Sequence, residues 1–116
     1  MCAFDRRESP LFVKTRDFIV WLLQHSAKFP KQYRHSLTER LECSALQFQR
    51  CIGRAIIVRE AGALAEADFE LWQVKQLLYV AQELHLISGR ILGFAFERLG
   101  EIGKLLGAWR KKADGA

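Results

Sequence analysis

The chain has 116 residues, half of them hydrophobic, which is enough for the core of one domain and too many for a disordered protein. The 18 Lys and Arg against 13 Asp and Glu give a net charge of +5, which suits a polyanion such as nucleic acid but also serves solubility alone. The 3 cysteines form no C-x-x-C pattern, the first nine residues are not a signal peptide, and no apolar run could span a bilayer, so we expect a cytoplasmic protein without disulfides or a membrane partner.

The first predicted helix follows an N-terminal arm, residues 1–9, which we expect to be disordered. Ser9 and Pro10 form a helix start, with serine at the cap and proline at the first helical position. The apolar spacing predicts a helix to about Lys28. Phe29-Pro30 ends it, because the residue before a proline is disfavoured in the helical conformation.

The second predicted helix opens with a capping box, Ser36 to Glu39, and runs to about Val58. Apolar residues that alternate at spacings of four and three predict one buried face in a bundle. The residues of this face are Leu37, Leu41, Ser44, Phe48, Cys51, Ala55 and Val58.

The third and fourth helices follow short connectors. Gly62 marks the turn before the third, which we expect from Ala63 or Leu64 to about Leu84, and Ser88 caps the fourth, which runs to about Lys112 before a frayed tail, 113–116. Their predicted buried faces consist of Leu64, Ala67, Leu71, Val74, Leu78 and Ala81, and of Leu92, Ala95, Leu99, Ile102, Leu106 and Trp109. Residues 10–112 are thus predicted to form an all-α, antiparallel up-down-up-down four-helix bundle.

The last two predicted helices carry more apolar residues than the single apolar stripe that a helix in a lone bundle buries. This excess predicts a subunit interface, although a broad core face in a compact bundle would look the same. The predicted interface residues are Trp21, Tyr79, Ile91, Phe94, Leu105 and Trp109. Four glycines inside the last helix, Gly93, Gly100, Gly103 and Gly107, predict a close approach of another helix that offsets their cost.

No pattern of catalytic or metal-binding residues stands out. The three histidines lie in no H-E-x-x-H motif, no E-x-x-H pair points to a di-metal bundle, and neither a phosphate loop nor a nucleophile elbow is present. We therefore expect a binding protein, not an enzyme, with no metal, cofactor or small-molecule substrate. An enzyme with its site inside the bundle would need a bound metal or cofactor.

The basic residues are the most informative polar set. Several lie off the predicted core faces, where they could hold phosphates without reading sequence, or simply form a solvated surface. The predicted nucleic-acid-binding residues are Lys14, Arg16, Arg40, Arg50, Arg54, Lys75, Arg98, Lys104, Arg110 and Lys111.

Several segments resemble the accessory variability determinant (Avd) proteins of diversity-generating retroelements. The run from Phe12–Asp17 through Lys28–Pro30, followed by Thr38–Glu42, is similar to proteins of that family, and Leu84–Ser88 resembles the connector before their last helix. The most specific match is Glu101–Trp109, whose two glycines and tryptophan resemble the closing signature of the family.

The resemblance implies a function that composition alone does not. Members of the family form a basic, barrel-like homopentamer, and they associate with the error-prone reverse transcriptase of the element and with its template RNA and DNA. They support mutagenic retrohoming and have no catalytic activity of their own. We therefore expect a homopentamer whose partners are a reverse transcriptase, RNA and DNA.

The sequence departs from the family pattern at one position, and a related family is the alternative. Third helices of the family often carry two basic residues four apart, and here Lys75 matches the first while Tyr79 replaces the second. Tyr79 could stack on a base or lie in a subunit interface. A sister family, encoded within intervening sequences of 23S ribosomal RNA, is the alternative, but its N-I-A-E-G run is replaced by Arg50–Ala55.

Overall fold

The computed structural model describes residues 9–115, which form four α-helices. These are α1 (Pro10–Ser26), α2 (Glu39–Ile56), α3 (Ala63–Glu83) and α4 (Gly89–Gly115), and no strand occurs among the described residues. The all-α four-helix architecture is therefore confirmed. The predicted N-terminal arm, apart from Ser9, and the final Ala116 lie outside the described residues. The barrel-like pentamer stays a prediction, because the structure contains a single chain.

Each helix packs against two others. α1 and α3 both contact α2 and α4, and the short connectors reverse the chain between successive helices. α4 has 27 residues and the other helices have 17, 18 and 21. It continues past Lys112, where we predicted its end, through Gly115.

The predicted capping box at the start of α2 is wrong, because the connection between α1 and α2 is itself helical. A 3₁₀ turn (Lys31–Tyr33) and a π-helical turn (Arg34–Thr38) lead directly into α2. Ser36 lies inside the π-helical turn, and its hydroxyl donates a hydrogen bond to the Tyr33 carbonyl at 3.4 Å. Because helical backbone already precedes Glu39, the first N–H groups of α2 find carbonyls upstream and need no side-chain cap. The predicted cap at Ser88 is confirmed, since its hydroxyl accepts the Ile91 N–H at 3.1 Å.

The buried face of α2 also departs from prediction. Ala45, Ile52 and Ile56 are buried, whereas the predicted Ser44 is only half-buried and Val58, beyond the helix end, is 69% exposed. A straight helix has about 3.6 residues per turn, so the spacing of about 3.5 that we assumed drifts off the core within a few turns. The predicted faces of α3 and α4 are largely confirmed.

The glycines of α4 are not explained by contacts within the chain. A Cβ atom at Gly93, Gly100 or Gly107 would meet no atom within 4 Å, and one at Gly103 would make only an ordinary contact, 3.6 Å from Leu71 Cδ2. The expected close helix approach is therefore wrong for the single subunit.

Thr15 places a polar group at the centre of the apolar core. Thr15 is 1% exposed, and its hydroxyl has no hydrogen-bond partner within the described residues. It lines a void of about 10 Å³ together with apolar side chains from all four helices. A buried hydroxyl without a partner costs folding free energy, because water would have satisfied it in the unfolded chain.

We expect Thr15→Val to stabilise the fold by about 1 kcal/mol, because it removes the unpaired hydroxyl and keeps the shape of the side chain. Thr15→Ser keeps the hydroxyl and deletes a buried methyl group, so it should destabilise by about 1 kcal/mol. Urea unfolding at one protein concentration measures both. A less stable Thr15→Val would show that the hydroxyl makes a favourable contact.

Candidate nucleic-acid interface

Basic charge is concentrated in the first half of the bundle. Residues 10–59, which contain α1 and α2, carry nine Lys and Arg against three Asp and Glu, a net charge of +6. Residues 60–115, which contain α3 and α4, carry seven against eight, a net charge of −1. No acidic residue occurs from Cys43 to Arg59. A polyanion is therefore attracted to the side of the bundle formed by α1 and α2.

Three of the predicted nucleic-acid-binding residues are neutralised by ion pairs. Lys14 Nζ lies 2.8 Å from Glu101 Oε2, and Arg110 Nη1 lies 2.9 Å from Asp68 Oδ2. These pairs join α1 to α4 and α3 to α4. Each cation already has an anion beside it, so it is a weaker phosphate ligand than the charge count suggests.

The third paired residue, Arg54, sits in a network at the end of α2. Its guanidinium bonds Glu60 and lies 3.5 Å from Glu66 Oε2, and the bond to Glu60 raises the pKa of Arg54. Glu66 also accepts a hydrogen bond from the buried Cys51 thiol at 3.7 Å. Burial, and next the charge of Glu66, raise the pKa of Cys51, so this thiol stays neutral and serves as a packing residue. Cys43, by contrast, is exposed.

The remaining predicted cations make no ion pair within residues 9–115. The Arg98 guanidinium lies 4.7 Å from the centre of the Phe94 ring, and Lys75 is half-buried. Of the predicted cations, those that are both exposed and without an ion pair among the described residues are Arg16, Arg40, Arg50, Arg98, Lys104 and Lys111.

The exposed surface of α1 and α2 combines free cations with apolar side chains. We call this surface, which contains Arg16, Val20, Leu46, Arg50 and Ile57, the α1/α2 face. The three apolar side chains are 50%, 45% and 42% exposed in chain order. A surface that mixes guanidinium groups with apolar atoms can contact both the phosphates and the bases of a nucleic acid.

A groove between α1 and α4 brings together side chains that we predicted for two different roles. Trp21 and Phe94, predicted for the subunit interface, have ring centres 5.4 Å apart and line a cavity of about 290 Å³. Lys14 and Arg98, predicted for nucleic acid, line the same cavity. Asp17 and Glu101 are its other charged residues. Since two cations face two anions, this groove offers phosphates little attraction.

The outer surface of α3 is the most apolar exposed part of the described chain. Phe69 and Trp72 are 58% and 52% exposed with ring centres 5.6 Å apart, and Tyr79 and Val80 are also exposed. We call these four residues the apolar α3 face. Sequence reasoning missed Phe69 and Trp72, although both fall outside the buried stripe of α3. Such exposed aromatic residues are typical of protein interfaces.

The predicted interface residues divide into two groups. Tyr79 and Phe94 are exposed and available to a partner. Trp21, Ile91, Leu105 and Trp109 are partly buried against the core of their own subunit. Much of the second apolar stripe of α4 therefore serves the monomer, as the alternative of a broad core face predicts.

The Lys14–Glu101 pair has a measurable pH signature. The hydrogen bond and the positive charge of Lys14 hold the pKa of Glu101 below its ordinary value of 4.5. A depressed pKa in the folded state means that the pair stabilises the fold above the unfolded pKa, and that this contribution is lost as the pH falls through the folded pKa.

We expect the Glu101 carboxyl resonance, followed by NMR during an acid titration, to have a midpoint below 4.5. In Lys14→Met the midpoint should return toward that value, because the donor and the charge are gone. Arg98→Met is the control, since Arg98 contributes less to the shift of the pKa of Glu101 than Lys14 does. Equal midpoints in wild type and Lys14→Met would mean that the ion pair does not persist in solution.

Comparison with known proteins identifies one family. A family model described as bAvd-like matches residues 11–113. No curated protein and no solved structure matches the chain. Within residues 9–115, none of the helices has the length and apolar character needed to cross a membrane.

Proposed function

This chain belongs to the bAvd-like family, and on that premise we propose that it is the accessory protein of a diversity-generating retroelement. In this role it binds the template RNA and DNA of the element together with its error-prone reverse transcriptase, and it supports mutagenic retrohoming. The polymerase chemistry belongs to the reverse transcriptase, and the accessory protein acts by binding, without catalysis of its own. The family match favours this role over that of an intervening-sequence protein.

The charge asymmetry of the bundle supports nucleic-acid binding. The half that contains α1 and α2 has a net charge of +6, and Arg16, Arg40 and Arg50 are exposed there without ion pairs. Phosphate contacts from such residues release counterions and are independent of sequence. We place the main nucleic-acid contact on the α1/α2 face because the other half has a net charge of −1.

The apolar α3 face supports self-assembly. Exposed aromatic side chains such as Phe69 and Trp72 are costly in a monomer and are typical of interface hot spots. α3 lies across the bundle from α1, since each of them packs mainly on α2 and α4. A subunit can therefore contact its neighbours through α3 while the α1/α2 face stays open, and repetition around a homopentamer would multiply the positive charge.

Charge reversal tests the proposed nucleic-acid face. We expect Arg16→Glu with Arg50→Glu to lower the affinity for a structured RNA by about one to two orders of magnitude at low salt. The slope of log affinity against log salt should also fall by about two. Lys104→Glu with Lys111→Glu is the matched control, because it changes the net charge equally on α4. Fluorescence anisotropy over a salt titration measures both, and equal losses would mean that only the overall charge matters.

Light scattering tests the assembly. We expect the wild type to have a mass near five chains, and Trp72→Glu with Val80→Glu to dissociate it toward single chains, because charges would be buried without partners. Val20→Glu, at a position as exposed as Trp72 but on α1, is the control and should keep the wild-type mass. Circular dichroism verifies that each variant is folded. An assembly that survives both substitutions on α3 would exclude the apolar α3 face as the interface.

A further inference from the structure

We propose that the groove between α1 and α2 binds unpaired nucleotides, with their bases turned toward the protein. The groove has a volume of about 270 Å³ and is lined by Phe12, Arg16, Gln49, Gly53 and Ile57. This inference rests on the proposed nucleic-acid function. It adds the place where the strand is held and the form, single-stranded, that it takes there.

The chemistry of the lining residues suits a nucleotide. Phe12 packs partly against the core and Ile57 is exposed, so the two provide apolar surface that can cover the face of a base. Arg16 and Gln49 are exposed, and neither has an ion pair or a side-chain hydrogen bond with a described residue. A guanidinium binds phosphate through two parallel hydrogen bonds, and a carboxamide both donates to and accepts from the edges of bases.

Gly53 keeps the groove open. It lies inside α2, where glycine costs up to about 1 kcal/mol relative to alanine. A Cβ atom at this position would meet no atom within 4 Å, so packing inside the subunit does not require the glycine. The missing side chain leaves space beside Gln49 for a ligand to approach the backbone of α2.

The surroundings of the groove favour a single strand over a duplex. Exposed apolar side chains, Val20, Leu46 and Ile57, alternate on the α1/α2 face with the cations Arg16 and Arg50. A duplex stacks its bases inside and presents mainly phosphates and sugars, which gain little from apolar contacts. An unpaired strand can turn its base faces toward such side chains while the cations hold its phosphates.

A second groove extends the path along α2. Its volume is about 520 Å³, and Phe29, Arg34, His35 and Leu46 are among its lining residues. Leu46 and Gln49 are three residues apart, so they lie on the same side of α2 and connect the two grooves. The carboxylates of Glu39 and Glu42 also line the second groove. We therefore expect the phosphate contacts to be strongest at the first groove, beside Arg16.

The test compares a labelled single-stranded oligoadenylate with the same strand paired to oligouridylate, by fluorescence anisotropy at one salt concentration. Gly53→Leu fills the groove without changing charge, and we expect it to weaken single-strand binding about tenfold, equivalent to the loss of one stacked base. Duplex binding should change little. Ala108→Leu is the control, because it enlarges an exposed side chain on α4, outside the groove, without changing charge, and it should leave both affinities unchanged.

Each outcome bears on a different statement. A selective loss of single-strand binding in Gly53→Leu, at unchanged assembly mass and melting temperature, supports the inference. Equal binding of duplex and single strand by the wild type, or an unaffected Gly53→Leu, overturns it and leaves the proposed function standing. A changed assembly mass in Gly53→Leu alone overturns it as well, because the groove then belongs to a contact between subunits. If the wild type binds neither nucleic acid at low salt, the proposed function itself fails.

Discussion

The burial of one apolar face from each of four helices is the constraint on which the other features depend. Leu22 of α1, Ile52 of α2, Leu78 of α3 and Leu99 of α4 are each at most 2% exposed, and their burial sets the rotation of every helix about its axis. Once those rotations are set, every other side chain has a fixed direction. The free arginines of α1 and α2 then share one side of the bundle, and the exposed aromatics of α3 lie on another. The surfaces that a partner can contact are therefore formed by the side chains that the helix rotations leave outside the core.

Ion pairs across helices change the meaning of the net charge. A count of +5 treats all basic residues alike, but Lys14 and Arg110 each pair with an acid on a neighbouring helix. Exposed pairs of this kind add little to stability. Their larger effect is to neutralise Lys14 and Arg110 as phosphate ligands, whereas Arg16, Arg40 and Arg50 of α1 and α2 stay unpaired. A polyanion responds to this local field more than to the total charge.

The sequence predicts the helices and most of their buried faces, because one apolar stripe per helix is a strong periodic signal. Prediction from the sequence fails for features that depend on backbone geometry or on contacts outside the helix itself. Ser36 has the spacing of a capping box, yet a π-helical turn makes the cap unnecessary. The buried face of α2 drifts toward Ala45 and Ile56, because a small error in period accumulates along the helix. The pairing of Lys14 with Glu101 joins residues 87 positions apart, which no local pattern reveals.

The glycines of α2 and α4 all lower helical stability, but the surroundings that could offset this cost differ between the two helices. Gly53, Gly93, Gly100 and Gly107 all have open space where a Cβ would lie, so none is required by packing in the subunit. Each costs helical stability, and a benefit outside the subunit must offset that cost. Gly53 borders a groove with a free arginine and apolar walls, which are features of a ligand site. The glycines of α4 have no such surroundings within the described chain, and a neighbouring copy remains the physical reason that fits them.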